Sequence, residues 1–338
     1  MSKQTQKQNL GQFYTTNYEY ILQGMSIHPS TTRIIEPFAG NGDLFPFAKG
    51  VEIEAYDIDP KKPTIQQRDT LLNPPDYTDA FVLTNPPYLA RNKSEDKTVL
   101  DKYNQNDLYK CFIYQLTLTP CAGGIIIIPL NFWCSIRKSD IQLRSSFLTT
   151  YKVLRVNIFE ERVFEDTTYT ICSIHFQRMK NDDVKICCMI YPQNKQIEFD
   201  LRYQSTIGGE IYTLPQDDGW KIDRLTTKNR DSEYATNILV KCIDDSARNK
   251  IAFSFSEKYV DETPNLSARS YATLVIEPKL TEPQQRELVE RFNVFLNERR
   301  DKYQSLFLTN YRESNSIARK RISFQLVFEI VNYLLSHR

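Results

Sequence analysis

Residues 85–88, Asn85-Pro86-Pro87-Tyr88, put a side-chain amide, proline carbonyls and a phenol ring into four consecutive positions. Two prolines in series fix two φ angles and remove two N–H donors, so neither a strand nor a helix continues through them. What remains is a stiff loop with carbonyl acceptors and an aromatic face. Such a set can hold a planar amino group, its hydrogens on the acceptors and its ring against the phenol. Phe81-Val82-Leu83 reads as a short buried strand leading into the tetrad. The tetrad therefore sits at a strand's C-terminal end, where open α/β sheets take their ligands.

The residues before it repeat that placement. Thr32 to Leu44 reads as a strand, a Gly40-Asn41-Gly42 turn and a helix start. Glycines there let backbone approach a ligand, and a helix N-terminus adds free N–H groups. Phe45 stands where the third glycine of a dinucleotide fingerprint would fall, which argues against a dinucleotide. Val51 to Asp57 is the next strand, and a carboxylate at its tip can accept from both ribose hydroxyls. Asp69 is a further acid near a strand end. The alternatives are that Asp57 is a solvated strand end and Asp69 a turn cap. Gly11 to Thr16 is a polar segment ahead of a short helix, Tyr18 to Met25, which Thr15, Thr16 or Asn17 can cap.

Downstream, Ala90 to Asn104 is polar and charged and reads as a mobile loop. A helix follows over Leu108 to Thr119, then a central strand, Gly123 to Pro129, apolar on both faces as parallel strands are. Val153 to Phe159 and Tyr169 to Phe176 are two more strands, with Val163-Phe164 between them. After Asp183 come short alternating runs bounded by Gly208-Gly209 and Asp217-Asp218-Gly219, then helices over Pro283 to Arg300 and from Phe324 onward. The predicted architecture is α/β: a Rossmann-like domain over 1–180, and a second domain over 181–338, β-rich to about 276 and helical after.

A chain of 338 residues is long enough for about two cores. The net charge of +1 gives no global nucleic-acid signature, so polyanion binding has to come from local patches. Lys93, Lys97 and Lys102 after the tetrad, and Arg319-Lys320-Arg321, are the candidate patches for phosphates, though either could be a solvated face. Seven cysteines without a Cys-x-x-Cys predict reduced thiols, and three scattered histidines give poor support to a zinc site or a His-based triad. No apolar run is long enough to span a bilayer and the polar start is unlike a signal peptide, so the expected location is cytoplasmic.

With these motifs in this order, the chain resembles an S-adenosylmethionine-dependent adenine-N6 DNA methyltransferase of the gamma arrangement, of the kind found in type II restriction-modification. The resemblance rests on Gly11 to Thr16, Glu36 to Gly42 and Asn85 to Tyr88 at their spacing, and covers roughly residues 11 to 178. It implies S-adenosylmethionine as cofactor, with Tyr14, Thr15 and Thr16 closing over its methionine end and Glu36, Ala39, Gly40 and Gly42 around it. Asp57 would take the ribose, Ile58 the adenine face and Asp69 the adenine amino group. Asn85, Pro86, Pro87 and Tyr88 would form the catalytic loop, with Asn85 also reaching the cofactor. Phe164 would stack on an extruded base, the alternative being that it packs in a core. The implied partners are double-stranded DNA and a separately encoded restriction endonuclease, with no membrane. Glutamine and RNA methyltransferases share the tetrad, and a catalytically silent nucleic-acid-binding subunit could keep the fold. The resemblance also implies that the second domain, 181–338, is the target-recognition domain, but that portion matches no particular recognition domain, so the target sequence is open.

Overall fold

Short apolar runs make the centre of the first sheet, where the strands are covered on both faces. The computed structural model of the chain describes residues 11, 13–164, 167, 169–179, 184–246, 248, 250–256, 269–314 and 317–337, with side chains at 310–319 left aside. Strands β1 (Ile34–Glu36), β2 (Ile53–Asp57), β3 (Gln66–Gln67), β4 (Phe81–Thr84) and β5 (Gly123–Pro129) run parallel. β4 and β5 are buried along their whole length. Next come β6 (Tyr151–Phe159), β7 (Ile171–Arg178), β8 (Lys185–Tyr191) and β9 (Lys195–Asp200), which complete a sheet of order β3-β2-β1-β4-β5-β7-β6-β8-β9. β7 is antiparallel to both β5 and β6. The chain winds outward from β1 to β3, then returns to β4 on the other side of β1. The carboxyl ends of β1 and β4 therefore flank the point where the winding reverses, and a crevice opens there. This is the expected Rossmann-like α/β fold.

Its crossovers are leaner than the sequence suggests. The helix expected after the glycine turn is a four-residue 3-10 helix, Phe45–Ala48, in which Pro46 has no N–H to extend an α-helical ladder. The first helix, α1 (Tyr18–Ile21), stops short of Met25, where Gly24 turns the backbone to φ +71°. The expected loop at 90–104 contains α2 (Thr98–Lys102), and α3 (Leu108–Leu118) follows as predicted. After β5 come α4 (Asn131–Cys134) and α5 (Lys138–Thr150).

The boundary expected at residue 180 lies later: the chain divides into compact units at 1–205 and 206–338. β8 lies parallel beside β6 and β9 pairs with β8, so both extend the first sheet. Alternating apolar residues mark a strand without saying which sheet it joins. The second unit has a four-stranded sheet of order β10-β13-β11-β12, made of β10 (Lys221–Arg224), β11 (Ala235–Lys241), β12 (Ala252–Phe255) and β13 (Tyr271–Glu277). Helix α6 (Glu282–Tyr303) packs on β12 and β11, and starts at a capping box of Thr281 with Gln284. β14 (Thr309–Ser314) and β15 (Ile317–Arg321) form a hairpin before α7 (Phe324–Ser336), which lies against β10. Between Gly208-Gly209 and Asp217-Asp218-Gly219 the chain forms a 3-10 helix, Gly209–Thr213, in place of one of the expected alternating strands.

Candidate active site

Asn85 follows the last residue of β4 and is 9% exposed. Its amide nitrogen donates to the Phe13 carbonyl at 2.8 Å and to Thr15 Oγ1 at 3.1 Å. A carbonyl can only accept, so the nitrogen must be the atom on that side, and both amide hydrogens are committed. Oδ1 is thereby turned the other way, where the Tyr88 hydroxyl meets it. That hydroxyl also lies 2.8 Å from the Ile127 carbonyl, so one proton serves two acceptors. Burial raises the Tyr88 pKa well above the ordinary phenol value and keeps it neutral.

The N-terminal segment is what fixes the loop. Tyr88 N–H donates to the Gly11 carbonyl at 2.9 Å. Gly11 has φ +66°, and a Cβ there would stand 2.8 Å from the Tyr88 backbone carbonyl oxygen, so only glycine permits this approach. Gln12 lies outside the described residues. The Phe13 ring stacks on Tyr88 with centroids 5.2 Å apart and planes at 26°. Tyr88 is 3% exposed and Phe164 5%, so neither presents the open face expected of it. Phe164 meets Phe13 instead, at 6.3 Å. An uncovered aromatic face loses the benefit of burial, and a neighbouring ring has closed over it. The loop carrying Phe164 is tied to the same segment. Asn17 Nδ2 donates to Val163 O at 3.2 Å, so it does not cap α1 through its side chain, and the Tyr20 hydroxyl bonds Glu161.

Beside the tetrad lies a cavity of about 1110 Å3, counting its open mouth. Tyr14, Thr15, Glu36, Ala39, Gly40, Asp57, Ile58, Asp69, Asn85 and Pro87 all line it. Thr16 is exposed and Gly42 is buried, and neither lines the cavity; Pro86 is also buried without lining it. Gly40, at φ +53°, donates its N–H to Asp57 Oδ2 at 2.7 Å, and a Cβ there would press 2.9 Å from the Tyr14 ring. The Asp59 N–H reaches Asp57 Oδ1 at 2.8 Å, and Asp57 is 4% exposed, so it is no solvated strand end. Asp69 Oδ1 accepts from Leu71 and Leu72 N–H, both at 3.0 Å, which makes it a turn cap as well as a lining residue. Ile58 shows 46% of its surface there, an apolar platform.

The cavity is acidic. Glu36 is buried, with no partner for Oε2, and its pKa is raised well above the carboxylate range by burial, then by Asp43 and Asp57. Asp43 and Asp96 also line the wall. Sequence reasoning missed both. Asp43 directly follows the glycine turn and could have been suspected; Asp96 comes from the stretch taken for a free loop.

Of the candidate phosphate contacts, Lys93 and Lys97 are exposed. Lys102 is not an open cation, because its ammonium donates to the Leu72 carbonyl at 2.7 Å and lies over the Tyr103 ring. In the second unit, Arg321 reaches Arg269 O and Lys320 reaches Gln304 O, both at 3.5 Å, while the side chain of Arg319 lies outside the described residues. Among the described residues no group of His, Cys, Asp and Glu is placed to hold a metal ion. No helix there is long and apolar enough to cross a membrane.

Asp107, the residue before α3, is 7% exposed and its Oδ1 has no partner. Burial pushes its carboxyl up to about 7, against the pull of Lys110 and of the Leu89, Tyr109 and Leu108 N–H groups. The folded chain then holds a proton between pH 4 and 7 that the unfolded chain has lost. Stability should therefore fall as pH rises through that window, by up to about 4 kcal/mol at roughly 1.4 kcal/mol per unit. Urea unfolding across this range should find the Asp107→Asn variant flatter than the parent. Parallel curves would show that the carboxyl ionises normally.

No protein-family model and no curated protein matches the sequence. Several solved structures are similar. A chain described as the modification subunit of a type I restriction enzyme from Vibrio vulnificus YJ016 is 14% identical, with TM-score 0.44, over 55% of this chain and 48% of that one. The M protein of the type I restriction enzyme EcoKI is 14% identical with TM-score 0.35, over 82% and 68%. DrdV in its DNA complex is 11% identical with TM-score 0.46, over 71% and 36%. The chain thus spans about half the length of the first of these. Two of the three are described as type I proteins. At such identities, what those proteins bind or modify remains a property of those proteins.

Proposed function

We propose that the chain is an S-adenosylmethionine-dependent DNA methyltransferase that modifies N6 of an adenine turned out of the duplex. The carrying observation is Asn85: both amide hydrogens are held by the N-terminal segment, which leaves Oδ1 as an oriented acceptor at a strand tip beside an acidic cavity. The cavity residues suit the cofactor. The Glu36 carboxyl, with Oε2 lacking a partner, suits its cationic methionine end, Asp57 the ribose, and Ile58 with Asp69 the adenine. When bound, the cofactor supplies an electrophilic methyl group on a sulfonium.

The rest is done by the chain's own residues. Adenine N6 is a weak nucleophile because its lone pair is spread into the ring. Asn85 Oδ1 has two lone pairs, so it can accept from N6–H while the Tyr88 hydroxyl occupies the other. The Pro86 carbonyl is the second acceptor. Together they favour a pyramidal nitrogen and stabilise positive charge as it develops there. Extruding the base costs a few kcal/mol, which aromatic stacking offsets by roughly 1–3 kcal/mol per contact. No catalytic base need be ionised, in keeping with a neutral Tyr88, because the methylated N6 cation is a strong acid and gives up its extra proton to solvent. Of the phosphate candidates that follow the tetrad in sequence, Lys93, Lys97 and Lys102 are all exposed, and Lys102 is the one whose ammonium is held by the Leu72 carbonyl. A separately encoded endonuclease is the natural partner of such an activity.

Transfer of label from methyl-tritiated S-adenosylmethionine to duplex DNA, RNA and glutamine-containing peptide, run side by side, tests the substrate class. Label in DNA alone is expected, and label in RNA or peptide in its place would overturn the proposal. In calorimetry, Asp57→Ala should weaken cofactor binding roughly 10- to 100-fold, the range for losing hydrogen bonds to a charged group. Unchanged affinity would place the ribose elsewhere.

A further inference from the structure

Between Tyr88 and Phe164 the chain has placed a ring of its own. The Phe13 side chain lies on Tyr88 at 5.2 Å and 26°, and faces Phe164 at 6.3 Å and 31°. The other aromatic neighbours of Tyr88, Tyr109 and Tyr169, meet it edge-on at 88° and 86°. Phe13 thus covers the face of Tyr88 in the near-parallel stack that an adenine ring would adopt. Resting on the methyltransferase reading above, we infer that Phe13 is a displaceable occupant of the base slot: it fills the slot in the DNA-free chain and swings out when the base enters.

Two features make the side chain free to leave while its backbone stays. The Phe13 carbonyl is held by Asn85 Nδ2, and the neighbouring residues are pinned by the Tyr88 N–H to Gly11 and by Asn85 to Thr15. Rotation about χ1 therefore leaves the orientation of Asn85 Oδ1 intact. Phe13 is also only half-buried, whereas Tyr88 and Phe164 are buried. A tenant of this kind keeps an apolar slot from standing open and lowers the apparent affinity for any base by the fraction of time it is home. It would discriminate against bases that stack too weakly to displace it.

Adenosine, titrated with the cofactor cavity saturated by S-adenosylhomocysteine, is the probe, followed by ligand-observed NMR. Removing the ring in Phe13→Ala should tighten adenosine binding roughly 5-fold or more, because the slot is already vacant. Phe13→Trp, with a larger ring in the same place, should weaken it. Phe13 also lines the cofactor cavity, so a cooperative thermal melt of each free variant, and not its S-adenosylhomocysteine affinity, establishes that it is folded. Equal or weaker adenosine binding by a folded Phe13→Ala would overturn the gate and make Phe13 a wall of the slot. Adenosine binding by neither parent nor variant would remove the slot altogether, and the methyltransferase reading with it.

Discussion

Asn85→Ala should lower methyl transfer by about 10^2- to 10^3-fold while cofactor affinity changes less than about threefold, the loss expected for removing one preorganised acceptor from a site of developing charge. The asymmetry follows from where the side chain is spent. Its nitrogen is held by Phe13 O and Thr15 Oγ1, and its oxygen faces the Tyr88 hydroxyl, so most of what Asn85 does is to present Oδ1. Truncation also strands those partners, costing roughly 1 kcal/mol for each hydrogen bond lost. A thermal melt separates that modest destabilisation from the catalytic loss. Near-normal turnover by the variant would mean that the methyl acceptor sits elsewhere.

The second large effect concerns Glu36. In the free chain burial, Asp43 and Asp57 hold its carboxyl protonated beyond the usual carboxylate range. A cationic ligand favours the ionised form, so its binding expels that proton. Affinity should then rise with pH between the bound and the free pKa, by up to tenfold per unit, and level off above. Calorimetry in buffers of different protonation enthalpy should find close to one proton released by the parent near the middle of that window. Glu36→Gln should release none and bind roughly 10-fold or more weakly, having lost a charge-assisted contact. The same proton release in the variant would assign the linkage to another acid, Asp43 first.

How much of this was readable beforehand follows from the range of each cause. The tetrad at a strand tip, the glycine turn and the acid ending β2 are local consequences of proline, glycine and apolar runs, and the chain has them where expected. The Rossmann-like order of the first sheet follows from the alternation of strands with crossovers. The grip of residues 11–15 on residues 85–88 was not readable, because the hydrogen bonds that make it join Thr15 and Phe13 to Asn85, 70 and 72 positions apart, and Gly11 to Tyr88, farther still. The same distance hid the cover that Phe13 gives Tyr88. Lys102 read as a free cation for want of knowing that Leu71 and Leu72 turn their carbonyls toward it. β8 and β9 read as the next domain because alternation names a strand and not its neighbours.

The central claim is that Asn85 presents an oriented acceptor to adenine N6. The direct measurement is enzymatic digestion of DNA labelled by the protein, with chromatography of the nucleosides. N6-methyl-2′-deoxyadenosine carrying all the label is the predicted result, and label in N4- or 5-methyl-2′-deoxycytidine would contradict it.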